Sequence, residues 1–262
     1  MKANQAGPRS LRLLVEGGKG KDRRPEPVRR FQVEAGEVLA VVGPTGSGKT
    51  RLLADVERLA RGDSPSGRRV RVAGRDAAGR TPGALVARLS QAMGFYLDAT
   101  AGEFVRLHAQ HRERPNPGAL AADAIEAAND LVGEPFTADV PLALLSGGQA
   151  RALMVADVVL VSACPVVLID ELENAGIDRL RALDFLLAHR VIALVATHDP
   201  LIALRADRRL VMAGGAVRAV VRRSAAEAAL LRRLERDHVR TEALKDRLRR
   251  GAPLVPARRR KV

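Results

Sequence analysis

An unbroken apolar run, Val38-Leu39-Ala40-Val41-Val42, leads directly into Gly43-Pro44-Thr45-Gly46-Ser47-Gly48-Lys49-Thr50. Five consecutive apolar residues rich in β-branching read as a strand buried on both faces. Beyond the glycines, Leu52, Leu53, Val56, Leu59 and Ala60 recur at helical spacing, so a helix begins around Lys49. The eight residues between fit G-x-x-x-x-G-K-[ST]. A strand, a glycine-rich turn and a helix N-terminus aim several backbone N–H groups, and the positive end of the helix dipole, at one point. Lys49 would reach β- and γ-phosphates there, and Thr50 would offer its hydroxyl to Mg²⁺. The Lys-Thr pair in this flanking pattern favours a nucleoside triphosphate site over a ligand-free turn.

The remaining periodicities predict an α/β fold in which a mostly parallel sheet is flanked by helices. Residues 11–15 and 28–33 read as strands of a small N-terminal antiparallel subdomain, joined by a Gly-, Lys- and Arg-rich turn over Glu16–Pro27. Arg69–Gly74 alternates charged and apolar residues, as a half-exposed strand does. Helices are expected at Ala84–Leu89, Ala101–His111 and Ala119–Leu131, with Pro115, Pro117, Gly133, Pro135 and Pro141 as breakers. They form a helical insert over about residues 91–150. A helix from about Gln149, a strand at Val166–Ile169, a helix at Arg179–Ala188 and a strand at Val191–Ala196 resume the alternation. Residues 1–223 are thus expected to form one domain. Residues 224–262 would add a long charged helix with a thin stripe (Leu230, Leu234, Leu244, Leu248) and a basic tail.

Composition narrows the setting. One cysteine, Cys164, permits no internal disulfide and fits a reducing cytoplasm. Lys2–Gly20 holds no continuous apolar core of the kind a secretory signal needs. The longest apolar stretch, Leu153–Ile169, is interrupted by Asp157 and Pro165 and is too short to span a bilayer. The formal charge of +14 gathers at Lys19–Arg24, Arg29-Arg30, Arg222-Arg223 and Arg258–Lys261. Such runs are more often solvated surface than binding patches. His108 and His111 stand at i, i+3 on a helix, but no third ligand is near in sequence, so no metal site is read there.

Four further elements follow the loop: Leu89-Ser90-Gln91; Leu145-Ser146-Gly147-Gly148-Gln149 opening a helix; Val166–Ile169 ending in Asp170-Glu171; and Ala196-Thr197-His198-Asp199 after the next strand. Over residues 11–215 the chain resembles the ATP-binding cassette (ABC) ATPases, with Leu145–Gln149 as the most specific motif. The resemblance implies ATP and Mg²⁺ as ligands. It assigns Thr50, Gln91 and Asp170 to the metal, Glu171 to general base, and His198 to the γ-phosphate. It also implies that Ser146, Gly147, Gly148 and Gln149 close over ATP held by a second copy, with Asp178 crossing between the two sites, so that a homodimer or cassette–cassette dimer forms. Two features depart from the family pattern. Leu172–Ile177 is one residue longer than usual, and Glu16–Pro27 has no aromatic to stack on adenine, which leaves that contact to an aliphatic or arginine side chain.

What such an engine drives is less constrained. The favoured reading is the nucleotide-binding subunit of a membrane transporter, cytoplasmic and peripheral on the inner face, with a separate transmembrane subunit that Ala92–Glu103 would contact. The competing reading is a soluble ATPase that assembles or matures a protein or metallocofactor complex. A nucleic-acid role is disfavoured, because the interval from Lys49 to Leu145 is too short for the long coiled coil of chromosome-type relatives.

Overall fold

The computed structural model describes residues 11–74, 79–90, 94–95, 97–171 and 176–252. These divide into two compact units at Arg222/Arg223. The first unit holds two sheets. Strands β1 (Arg12–Glu16), β2 (Arg30–Glu34) and β4 (Arg69–Ala73) form an antiparallel sheet in the order β2-β1-β4. A six-stranded sheet is ordered β5-β6-β7-β3-β8-β9, from β3 (Val38–Val42), β5 (Val86–Leu89), β6 (Val166–Asp170), β7 (Ile192–Ala196), β8 (Arg208–Ala213) and β9 (Ala216–Arg222). All of its neighbours pair in parallel except β8 with β9.

Strict alternation along the central strands splits the apolar core in two. Leu39 and Val41 of β3, Val166 and Leu168 of β6, and Ile192, Leu194 and Ala196 of β7 face one cluster. There they meet Leu52, Leu53 and Val56 of helix α1 (Lys49–Glu57) and the inner residues of the antiparallel sheet, Leu13, Val15, Phe31 and Val33. Their neighbours Val38, Ala40, Val167, Ile169, Ala193 and Val195 face a second cluster. It is shared with α3 (Ala101–His111), α4 (Pro117–Asp130), α5 (Gly147–Ala156) and α6 (Arg179–Ala188). With period 2, one strand residue serves each side in turn.

The segment expected as a helix over Ala84–Leu89 differs. Only a short turn, α2 (Pro82–Leu85), is helical, and Val86–Leu89 is strand β5, paired in parallel with Val166–Ile169. Pro82 at the helix start suits that turn. The open edge of β6 offers Val86–Leu89 a ladder of backbone partners that four residues cannot make within a helix. Helix α7 (Pro200–Arg205) and the β8–β9 hairpin complete the unit. After α5 the chain continues as π-helix over Asp157–Ser162 and ends in a left-handed residue, Ala163. His108 of α3 pairs with Asp157 there, Nδ1 to Oδ1 at 2.8 Å. No group of three metal-binding side chains occurs among the described residues. The second unit is helix α8 (Ala225–Arg249), opened by a capping box between Ser224 and Glu227. The tail at Arg258–Lys261 lies outside the described residues.

One buried guanidinium joins the layers of the first unit. Arg68, just before β4, is fully buried; its Nη1 bonds Asp55 Oδ2 of α1 at 2.9 Å and its Nη2 bonds the carbonyl of Gly215 at 2.9 Å. Nη2 also pairs with Glu26, from the turn between β1 and β2. Ser66 donates to Asp55 at 2.7 Å, and the Val217 N–H donates to Glu26 at 3.3 Å. Removing one partner of such a set leaves uncompensated buried charge. Arg68→Ala, which strands two carboxylates, is therefore expected to cost about 3–5 kcal/mol, read from urea unfolding.

Cys164 is buried beside Gly83, and that burial pushes its thiol up from the ordinary cysteine range. A raised pKa leaves little thiolate, the reactive form, at neutral pH. Thiol reagents should therefore label Cys164 only after denaturant is added; rapid labelling of folded protein at pH 8 would contradict its packing.

Candidate functional site

Four adjacent parallel strands, β5, β6, β7 and β3, end on the same edge of the sheet. After β5 comes Ser90, after β6 Glu171, after β7 Thr197 and His198, and after β3 the loop Gly43–Gly48. Motifs far apart in sequence are thereby lined up in one row. The C-terminal edge of a parallel sheet is where α/β proteins bind ligands. Gln91, which continues from β5, lies outside the described residues.

The loop has the geometry of an anion cradle. Gly43, Gly46 and Gly48 have φ of 154°, 76° and 103°, a region that side chains with a Cβ rarely adopt. Gly48 stands at the N-cap of α1 with no side-chain cap, and no acidic residue occupies the first turn, so nothing from the protein neutralises that helix end. Ser47 Oγ is buried without a hydrogen-bond partner. An orphaned hydroxyl, an uncapped helix start and positive-φ glycines together fit an oxygen-rich anion such as a triphosphate. Pro44 and Thr45 form the exposed lip, and Thr50 sits in the first turn of α1.

Lys49 is folded against its own loop. Its Nζ donates to the carbonyls of Gly43 at 2.8 Å and Pro44 at 3.4 Å and lies 3.1 Å from His198 Nε2. An ammonium only donates, so in this contact the imidazole nitrogen is the accepting partner. This contact places His198 within reach of anything Lys49 binds. Asp199 next to it caps α7 and pairs with Arg179 at 2.7 Å, tying the end of β7 to the start of α6.

At the end of β6, Asp170 is mostly buried and bonded through Oδ2 to Arg88 Nη2 at 2.9 Å. Glu171 is left-handed, with φ of 59°, and its N–H donates to the carbonyl of Ala196 at 3.0 Å. A non-glycine residue in that region carries about 1–3 kcal/mol of strain, typical of active sites. The turn takes successive carboxylates, Asp170 and Glu171, out of the strand's alternation. Of the longer stretch Leu172–Ile177, residues 172–175 lie outside the described residues.

The second glycine motif is built differently. Ser146 caps α5, accepting from the Gln149 N–H at 3.3 Å while Gln149 Oε1 accepts from the Ser146 N–H at 2.9 Å. Gln149 also donates to the carbonyl of Glu134 at 3.0 Å. Gly147 is exposed with open space where a Cβ would stand; at Gly148 a Cβ would meet the Gly176 carbonyl at 2.5 Å. Asp178 caps α6 by accepting from Leu180 and Arg181. Helix α5 packs in the second apolar cluster and α1 in the first, so the two glycine motifs belong to helices on opposite faces of the sheet.

Two residues of the site carried no distinct sequence signal. Lys21, in the basic turn Glu16–Pro27, donates from Nζ to the carbonyl of Gly46 at 2.8 Å and from its backbone to Gly214 at 2.7 Å. In the turn where an aromatic is lacking, a lysine touches the phosphate loop. Arg88 was hidden inside the segment expected to be helical, and the four residues of β5 are too few to display a strand period.

The loop geometry yields a contrast. A Cβ at Gly43 would lie 2.3 Å from the carbonyl of Met212, whereas one at Gly46 meets nothing within 4 Å. Gly46→Ala should cost only the left-handed penalty, about 1–2 kcal/mol. Gly43→Ala should cost more and abolish nucleotide binding, as measured by urea unfolding and calorimetric titration with ATP.

Comparison with known proteins identifies the family. The family model described as ABC transporter matches residues 29–174. An uncharacterised ABC transporter ATP-binding protein of Methanocaldococcus jannaschii is 42% identical over 253 residues, 93% of this chain and 94% of that protein. A hemin import ATP-binding protein of Bradyrhizobium diazoefficiens is 34% identical over 202 residues, 70% of this chain and 72% of its own. Among solved structures, CbiO1 from Clostridium perfringens, part of the ABC transporter complex CbiONQ, superposes with a TM-score of 0.64 at 20% identity. That match covers 91% of this chain and all of CbiO1.

Proposed function

Since the chain belongs to the ABC transporter family of ATP-binding proteins, it is an ATPase, and we propose that it is the nucleotide-binding subunit that powers a membrane transporter. The observation that carries this reading is the row of motifs at the ends of β5, β6, β7 and β3. It puts a phosphate cradle, two carboxylates and a histidine at one sheet edge. The relatives named as transporter subunits favour transport over the soluble assembly role. No helix among the described residues is long and apolar enough to cross a membrane; in this reading a separate transmembrane subunit does so. The exposed Leu97 and Leu107, in and just beyond the Ala92–Glu103 region, suit contact with that subunit.

In this reading, Gly43–Gly48 cradle the β- and γ-phosphates with backbone N–H groups, and Lys49 exchanges its carbonyl partners for phosphate oxygens. Thr50, Asp170 and Gln91 would hold Mg²⁺, which when bound neutralises charge on the β- and γ-phosphates. Glu171 accepts a proton from the attacking water; the new oxygen–phosphorus bond forms at the γ-phosphate as the bond to the β-bridging oxygen breaks, releasing ADP and phosphate. His198, already in contact with Lys49, steadies the γ-phosphate. By the family resemblance the exposed Ser146 and Gly147 would be supplied to the nucleotide of a second copy, a reading supported by α1 and α5 lying on opposite faces of one sheet. ATP would thus join two chains and hydrolysis would release them. Asp178, at the start of α6, would by the same resemblance cross between the two sites. The assembly would be cytoplasmic, on the inner face of the membrane.

Glu171→Gln keeps the shape and hydrogen bonding of the side chain but removes the base. Turnover should fall by about 10²–10⁴-fold, the usual worth of a general base. The variant should also run as an ATP-dependent dimer by light scattering. Unchanged turnover would remove Glu171 from its role, and a monomer at saturating ATP would remove the shared site.

A further inference from the structure

Arg88 sits between two carboxylates that belong to different parts of the ATP site. Its Nη2 lies 2.9 Å from Asp170 Oδ2, and its Nη1 lies 3.2 Å from Oε2 of Glu57. Glu57 is the last residue of α1, the helix that opens with Lys49 and Thr50. The placement follows from register. Arg88 of β5 pairs with Leu168 of β6, and Val86 and Leu168 both face the cluster that contains α1. By the same period of two, Asp170 starts from that face as well.

Most of the guanidinium is withdrawn from water, with the Arg88 side chain 19% exposed and that of Asp170 17% exposed. Its Nε is buried with no partner. Charge explains why two acids flank one base. A guanidinium on Asp170 alone would cancel the negative charge that a divalent cation needs there. Glu57 supplies a second carboxylate, so the three groups together keep one net negative charge. Arg88 also engages Asp170 through Oδ2, which fixes the carboxylate plane and leaves its other oxygen for a cation.

We propose that Arg88 is a positioning residue for the Mg²⁺-binding carboxylate Asp170, and that Glu57 is the counter-charge that lets it act without repelling the metal. The inference rests on the reading of Asp170 as the metal carboxylate. Carboxylates that bind metals are commonly held by such hydrogen-bonded partners, whose loss weakens metal binding about 10–100-fold. In this arrangement the end of α1 and the end of β6 share one cation, so the helix carrying Lys49 and Thr50 is held in register with the metal carboxylate.

The test measures, by calorimetry in a Glu171→Gln background, how much saturating Mg²⁺ increases ATP affinity. Arg88→Met should reduce that gain by about 10-fold or more, with metal-free ATP affinity unchanged. Arg88→Lys, which keeps the charge but not the fork, should recover part of the gain and guards against a folding defect in the methionine variant. Glu57→Gln should also reduce the gain, because the guanidinium charge is then uncompensated. A tighter Mg²⁺ response in Arg88→Met would make Arg88 a competitor of the metal and overturn the proposal; an unchanged one would overturn it as well. Asp170→Asn separates the two levels. If it leaves the Mg²⁺ gain intact, the assignment of Asp170 itself fails. If it removes the gain while Arg88→Met does not, only the role of Arg88 fails.

Discussion

The buried guanidinium of Arg68 bonds the last turn of α1, the turn after β1 and the hairpin between β8 and β9 at once. These pieces come from opposite ends of the first unit's sequence, and all border the phosphate loop. A helix that binds phosphate must keep its first turn uncapped and without acid, which forgoes the usual stabilisation at that end. Here the compensation comes from the body of the helix. Asp55 is locked by Arg68 and Ser66, and Leu52, Leu53 and Val56 are fully buried. The N-terminus can then remain open to a ligand without fraying. The same network seats the β8–β9 turn, where Gly215 donates its N–H to the carbonyl of Ser47 at 2.9 Å.

The sheet imposes the second condition. Because side chains alternate across a strand, β3, β6 and β7 must serve two cores, one under α1 and one under α3 to α6. This division sets the phosphate loop and the Ser146–Gln149 cap on different faces. The two caps differ in their chemistry for the same reason. Gly48 leaves its helix end bare, whereas Ser146 and Gln149 satisfy each other's backbone and give the α5 end a fixed shape.

Charge is distributed with more purpose than the overall +14 suggests. Arg68 is structural, Arg88 bridges α1 and the end of β6, Arg179 ties α6 to the end of β7, and Lys21 clips the loop Gly43–Gly48. Solvated surface accounts for other basic residues, for instance Arg233, Arg240, Lys245 and Arg249 of α8, which pair with exposed acids three or four residues away. Pairs of that sort contribute little, whereas the buried ones decide which elements stay together.

The local motifs were legible in the chain itself. Val38–Thr50 dictates a strand, a glycine turn and a helix because each residue acts on its own backbone and its near neighbours. Ser146–Gln149 reads as a cap by the same logic, and the Asp170-Glu171 pair reads as a strand end because four apolar residues precede it. The α/β class followed from alternating periods. Sequence alone did not distinguish β5 from a helix, since Val-Ala-Arg-Leu is too short to display a period and its partner, β6, lies some eighty residues away. Nor could it single out Arg68, Arg88 or Lys21 among so many similar cations. Their roles come from contacts across 13 to 147 residues of chain, which only the closed sheets and the buried surroundings create. Local chemistry selected the parts, and the tertiary structure decided which charges face one another, because a salt bridge depends on distance in space and dielectric rather than on order along the chain.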